Sequence, residues 1–299
     1  DGHPWRAALR RPRRESWQWQ EAVSSLTVFA EKSVQVSLIT SNKAISAWQK
    51  NRFWQHALRV LQQLPLAGQQ ADVVSYNAGI SSCEKNDWRR ALVFISTVTL
   101  CQLQPSVVTC SACISACEKS VRWQEALSLL HAAWCGLPGD DGPDVYTYSA
   151  CISACEKAGR WQEALHLLGE MGDKHLKPNL ITFNAAVSAC QKGGEWEPAL
   201  HLLEALRAET LLPDLITFGA SISACESDGR WEVACLLMAE LEENNLQSDL
   251  ITSNALLSAC EKADQWQMAF HLLRGFHGTF DVVSYSAVIS ALEKGQKWQ

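Results

Sequence analysis

A six-residue phrase returns along this chain at intervals of about 35 residues, and nothing else in the sequence limits the fold so sharply. It reads Ile-Ser-Ser-Cys-Glu-Lys at 80–85 and Ile-Ser-Ala-Cys-Glu-Lys at 114–119 and 152–157. Variants follow at 187–192, 222–227 and 257–262, with weaker copies at 45–50 and 289–294. After each comes a Trp, a short polar pair and an Ala; these tryptophans include Trp54, Trp88, Trp123, Trp161, Trp196, Trp231, Trp266 and Trp298, with Trp19 upstream. Self-similarity at this period belongs to repeat architectures, whose units bury their apolar faces only against neighbours.

Starting each unit two residues before its Ser or Thr gives seven units: 38–72, 73–106, 107–144, 145–179, 180–214, 215–249 and 250–281. An eighth, 282–299, is incomplete; 19–37 reads as the second half of an earlier unit, and 1–18 as a basic leader or a degenerate repeat. Arg6, Arg10, Arg11, Arg13 and Arg14 give that leader a weak likeness to an organelle transit sequence. With Asp1 first and Lys297-Trp298-Gln299 inside a unit, the sequence is expected to be part of a longer chain.

Within a unit the apolar spacing predicts two helices. In 145–179, Tyr148, Ile152 and Cys155 form one stripe, Ala158-Gly159 a break, and Trp161, Ala164, Leu165 and Leu168 a second stripe. Lys177-Pro178-Asn179 closes the unit, because Pro cannot continue a helix. The expected fold is therefore all-α, a right-handed α-solenoid of about eight helix-turn-helix repeats.

A hydrophobic fraction of 47% is ample for a core, and no apolar run approaches the ~20 residues that cross a bilayer, so no membrane partner is expected. The twelve cysteines lie in apolar stretches at repeat spacing, and are read as free, buried and held in a reducing compartment. Cys83, Cys117, Cys155, Cys190, Cys225 and Cys260 share one unit position with Trp48 and Leu292, which makes it a packing position and not a metal ligand. No metal and no cofactor are expected.

The opposite face of the first helix carries a different pattern. Numbering from the start of each unit, position 2 is Ile39, Val74, Val108, Tyr146, Ile181, Ile216, Ile251 and Val283. Position 5 is Asn42, Asn77, Ser111, Ser149, Asn184, Gly219, Asn254 and Ser286, and position 9 is always serine. Position 13 is Lys50, Lys85, Lys119, Lys157, Lys192, Ser227, Lys262 and Lys294. Stacked units would align these as parallel tracks: an apolar contact for a base, a hydrogen-bonding group for its edge and a cation for phosphate. That arrangement fits single-stranded RNA, and a lysine row would let a chain of net charge −6 hold a polyanion. A plainer alternative is that Glu-Lys at positions 12 and 13 solvates the helix end.

Residues 38–299 resemble the pentatricopeptide repeat family, through Val-Val-Ser-Tyr-Asn at 73–77, Leu-Ile-Thr-Phe-Asn at 180–184, the period, and closures such as Pro178-Asn179 and Pro213-Asp214. The resemblance implies sequence-selective RNA binding in plastids or mitochondria, serving RNA processing, stability, editing or translation. It further implies that position 5 and the last residue of a unit choose the base together, that position 2 sandwiches it, and that position 13 approaches phosphate. The implied pairs are Asn42/Asp72, Asn77/Ser106, Ser111/Asp144, Ser149/Asn179, Asn184/Asp214, Gly219/Asp249 and Asn254/Asp281, with Ser286 opening the next. By the same resemblance the target reads 5′-U-Y-G-A-U-N-U-3′. Ser41, Cys110 and Ser253 depart from the usual aromatic at position 4.

Two other functions are open to a chain of this kind. A protein- or peptide-binding helical-repeat scaffold is the alternative, as in tetratricopeptide repeats, although Asn at position 5 with a terminal Asp is foreign to that signature. An enzyme is not expected: there is no Gly-rich phosphate loop, no deaminase zinc signature and no Ser/His/Asp set outside repeat positions. Any protein partner is expected to act through flanking regions beyond this sequence.

Overall fold

The structure is a computed structural model describing residues 45, 55, 57, 60, 61, 64, 71–83, 88–101, 103–136, 142–275 and 280–295. They form helices and no strand: α1 (Val73–Cys83), α2 (Trp88–Leu100), α3 (Val107–Lys119), α4 (Trp123–Gly136), α5 (Val145–Lys157) and α6 (Trp161–Asp173) come first. After them come α7 (Leu180–Gly193), α8 (Trp196–Ala208), α9 (Leu215–Ser227), α10 (Trp231–Glu243), α11 (Leu250–Lys262), α12 (Trp266–Gly275) and α13 (Val282–Lys294). The chain divides into two compact units, Asp1–Pro105 with the hairpin α1–α2, and Ser106–Gln299 with α3 to α13.

The second unit is a helical-repeat solenoid. Each first helix packs on its own second helix and on the first helices before and after it, while each second helix leans on the first helix of the next hairpin. Second helices do not pack on one another in the same way, so each hairpin is a wedge and the first-helix row is the tight side of the stack.

The ends of the helices follow from local chemistry. The last residue of each unit is the N-cap of the next first helix. Asp72, Ser106, Asp144, Asn179, Asp214, Asp249 and Asp281 each accept from the backbone N–H three residues on, at 2.8–3.3 Å. That third residue is always Ser or Thr, and all seven are buried: Ser75, Thr109, Thr147, Thr182, Thr217, Thr252 and Ser284. In the second unit α3, α5, α7, α9 and α11 are closed by a left-handed residue, Val121, Gly159, Gly194, Gly229 and Asp264 in turn. The next N–H then returns to the carbonyl of the recurrent cysteine, for example Arg160 N to Cys155 O at 2.9 Å, a Schellman closure.

The core confirms the packing role of the recurrent cysteine, since Cys83, Cys117, Cys155, Cys190, Cys225 and Cys260 are all fully buried. The reading of all cysteines as buried fails at three places. Cys101 and Cys135 are exposed and Cys235 is half-buried, because they sit on or just past second helices, whose outer sides face solvent. The second-helix stripe is also shifted. In α6 the buried residues are Ala164, Leu167 and Met171, while Leu165 and Leu168 are only half-buried. The helix therefore turns its Leu167 edge inward, with buried residues at i, i+3 and i+7.

The tryptophans opening the second helices join consecutive hairpins. The Arg160 guanidinium lies 4.8 Å over the Trp123 ring and Arg230 lies 4.8 Å over Trp196. Trp161 lies so close to Gly193, and Trp266 to Gly295, that a Cβ at either glycine would overlap the indole. In each case a tryptophan covers the inter-helix turn of the following unit. Among the described residues no helix is long and apolar enough to cross a membrane, and no three His, Cys, Asp or Glu side chains converge as metal ligands.

Candidate functional site

The packing of first helices on one another leaves one of their faces open, and its composition is set by position in the repeat. Position 2 points outward: Val74, Val108, Tyr146, Ile181, Ile216, Ile251 and Val283 are all exposed, from 56% at Val283 to 78% at Tyr146. An apolar row this exposed has no role in the protein's own core. Ile39, Asn42, Lys50 and Lys85 lie outside the described residues.

Position 5 lies on the same helices, and within the second unit it stands at the seam between hairpins. Asn77, Ser111, Ser149, Asn184, Gly219 and Asn254 are half-buried, and Ser286 is exposed. The Asn184 amide donates to both carboxylate oxygens of Asp214 at 3.1 Å, and its carbonyl accepts from the Thr217 hydroxyl at 2.6 Å. Asn254 repeats the pattern, donating to Asp281 at 3.3 Å and accepting from Ser284. Position 5, the last residue of the unit and position 3 of the next unit are thus one hydrogen-bonded group. It fixes which way the amide faces and leaves one N–H and one carbonyl lone pair unused.

The other pairs meet differently. Ser149 reaches Thr182 at 2.7 Å, and Thr182 in turn donates to Asn179 at 2.8 Å, so this pair joins through the threonine. Ser111 turns its hydroxyl onto the Val108 carbonyl of its own helix at 3.1 Å, and Ser286 does the same onto Val282 at 2.7 Å. Gly219 offers no side chain, and a Cβ there would stand 3.0 Å from the Thr252 hydroxyl. Asp144 and Asp249 are accordingly exposed, whereas Asp214 and Asp281 are half-buried. Hydrogen bonds from the Ser284 backbone, and then from its hydroxyl and Asn254, outweigh burial and hold the Asp281 carboxyl below the usual carboxylate range.

Sequence reasoning missed two features. The terminal Asp, Asn or Ser is a helix cap as well as a member of the pair, and the buried position-3 hydroxyl links one unit to the next. The signal was present, since a Ser/Thr/Asp/Asn followed three residues later by Ser or Thr at each helix start is a capping pattern.

Position 9 is half-buried in every described unit, at Ser81, Ser115, Ser153, Ser188, Ser223, Ser258 and Ser290. At position 13 Lys119, Lys157, Lys192, Ser227, Lys262 and Lys294 are exposed. Lys157, Lys192, Lys262 and Lys294 each face the glutamate at position 12 of the preceding unit, and their side chains stay 36–47% exposed. Such solvated pairs are worth only about 0.2–1 kcal/mol each, so an incoming anion could displace them.

The architecture defines a class: an α-helical hairpin array presenting a patterned first-helix face. A family profile described as PPR repeat matches residues 108–132 and 251–276, and one described as PPR repeat family matches 143–192. Over these segments the chain is similar to proteins built from pentatricopeptide repeats. Solved structures agree on the fold. The pentatricopeptide repeat protein PPR10 from maize superposes with a TM-score of 0.58 at 18% identity over 98% of this chain and 51% of that chain. Its complex with an 18-nt psaJ RNA element gives 0.51 at 16% identity, over 98% and 48% of the two chains. Nuclear proteinaceous RNase P 2 from A. thaliana gives 0.53 at 13% identity, over 61% and 41%. The chain thus spans about half the length of the maize protein. No curated protein sequence matches it.

Proposed function

We propose that this chain binds single-stranded RNA along its first-helix face, one base per repeat, with the base chosen by position 5 and the last residue of each unit. The observation that carries the reading is the row of exposed apolar residues at position 2 running beside position-5 groups at the seams. Bases need a flat or apolar surface to lie against and a polar group for their edges, and both stand here at repeat spacing. The maize relative solved with an RNA element has the same fold.

In this reading Val108, Tyr146, Ile181, Ile216, Ile251 and Val283 flank successive bases, and Asn184/Asp214 and Asn254/Asp281 select uracil. Ser111/Asp144 selects guanine and Ser149/Asn179 adenine; Gly219/Asp249 selects none. The full reading, 5′-U-Y-G-A-U-N-U-3′, places the chain in plastid or mitochondrial RNA processing, stability, editing or translation, as a binder without catalysis. The test is an array of all seven-base RNAs. Enrichment of that pattern is the expected result, and an array without base preference sinks the proposal. Tight capture of apolar peptides in place of RNA would favour the scaffold alternative.

A further inference from the structure

Charge at the ends of the first helices is organised in pairs that cross the seams. Lys157 reaches Glu118 at 2.7 Å, Lys192 reaches Glu156 at 2.8 Å, Lys294 reaches Glu261 at 3.3 Å and Lys262 reaches Glu226 at 3.7 Å. In every pair the lysine is position 13 of one unit and the glutamate is position 12 of the unit before it. At the seam between 180–214 and 215–249, position 12 is Gln191 and position 13 is Ser227. Both charges are absent from the same rung, although the two residues belong to different units. At the first seam only the glutamate is missing, since position 12 is Gln49 while position 13 of the next unit is Lys85, so the 191/227 rung is the one from which both charges are gone.

We propose that Glu118, Glu156, Glu226 and Glu261 are built-in counter-ions that compete with RNA phosphate for the lysine column. The inference rests on the RNA-binding reading above and concerns how tightly that face holds a strand. An ammonium has three donors, the glutamate takes one direction, and the lysine side chains are still more than a third exposed, so a phosphate can approach from the open side. While the glutamates stay in place the column carries little net charge, and indiscriminate attraction of polyanions is damped. Selection then falls to the base-facing groups at positions 2 and 5.

The neutral rung supplies the test. Ser227→Lys alone puts a lysine at that seam without a counter-ion, and Gln191→Glu added to it supplies one. With the whole chain and oligo(U) RNA as probe, Ser227→Lys should tighten binding about threefold at low salt and steepen the dependence of log affinity on log salt by about 0.7. Adding Gln191→Glu should return both values towards the starting protein. Glu118→Gln with Glu156→Gln should tighten oligo(U) and heparin binding by about tenfold and shrink the difference between matched and mismatched RNAs. Circular dichroism and melting temperature report whether each variant is folded, and the Ser227/Gln191 series removes no existing ion pair. If Gln191→Glu leaves the Ser227→Lys gain intact, or the folded double glutamine variant binds no tighter, the glutamates are not competitors and the inference is overturned while RNA binding stands. If the unaltered chain and Ser227→Lys both fail to bind any RNA at low salt, the RNA reading falls and this inference with it.

Discussion

Asn184 shows how much one side chain does at a seam. Its amide donates to Asp214 and accepts from Thr217 of the next unit, so Asn184→Ser removes the bonds to Asp214 while a hydroxyl there can still meet Thr217, as Ser149 meets Thr182, and the Asp214 cap on Thr217 remains. The expected cost is about 1 kcal/mol in stability, the net worth of an ordinary hydrogen bond, with a shift of that unit's preference from uracil towards guanine on the RNA array. Loss of the fold would instead make position 5 a packing residue. The recurrent cysteines give a second prediction. Burial raises the thiols of Cys117, Cys190 and Cys225 to about 11 and that of Cys155 to about 12, from an ordinary value of 9.0. A group whose pKa is higher when folded contributes stability that is complete below its unfolded value and lost as pH rises through the folded one. The melting temperature should therefore hold up to about pH 9 and fall from there towards 12, and iodoacetamide at neutral pH should label Cys101 and Cys135 before any of the column. The burial of that column was legible in the sequence because Trp and Leu take the same place. The exposure of Cys101 and Cys135 was not, because they lie outside the repeated phrase.

Helix termini repeat their geometry more strictly than their residues. The turn between first and second helix holds a left-handed residue in five consecutive hairpins, glycine in three of them, but Val121 occupies it with φ 57°. A β-branched side chain in that conformation costs roughly 1–2 kcal/mol, and Val121 is exposed, so little packing offsets it. Val121→Gly should raise stability by about 0.5–1 kcal/mol after the added freedom of the unfolded chain is counted, and Gly159→Val should lower it by a similar or larger amount; urea unfolding measures both. Helix existence and the break at Ala158-Gly159 were readable from apolar spacing and a glycine. The inward edge of α6 was not, since Leu165, Leu167 and Leu168 are equally apolar and only packing against the neighbouring hairpin decides among them.

At the scale of the array, a net-acidic chain can hold a polyanion only through the placement of its charges. Replacing Lys157 and Lys192 together by Ala should weaken all RNAs alike and flatten the salt dependence by about 1.4, at about 0.7 for each phosphate no longer neutralised, while leaving base preference unchanged. A change in preference would assign these lysines a part in base selection. The periodic face, and hence the candidate tracks, could be read from the sequence by aligning units. The links across the seams could not, because a residue's neighbour in the next hairpin lies some thirty-odd positions away and no local pattern announces it.

The buried hydroxyl at position 3 has a consequence for how such chains lengthen. Since every described unit opens with Ser or Thr there, any unit can receive the side chain that the previous one offers, whether Asn184, Ser149 or Asn254. A duplicated or transplanted unit brings its own socket for whatever precedes it, and units such as those with Ser149, Asn184 or Asn254 also carry a plug for whatever follows. Growth by whole units therefore keeps each joint intact, whereas an insertion of a few residues between a unit's fifth residue and the next unit's third would part the plug from its socket.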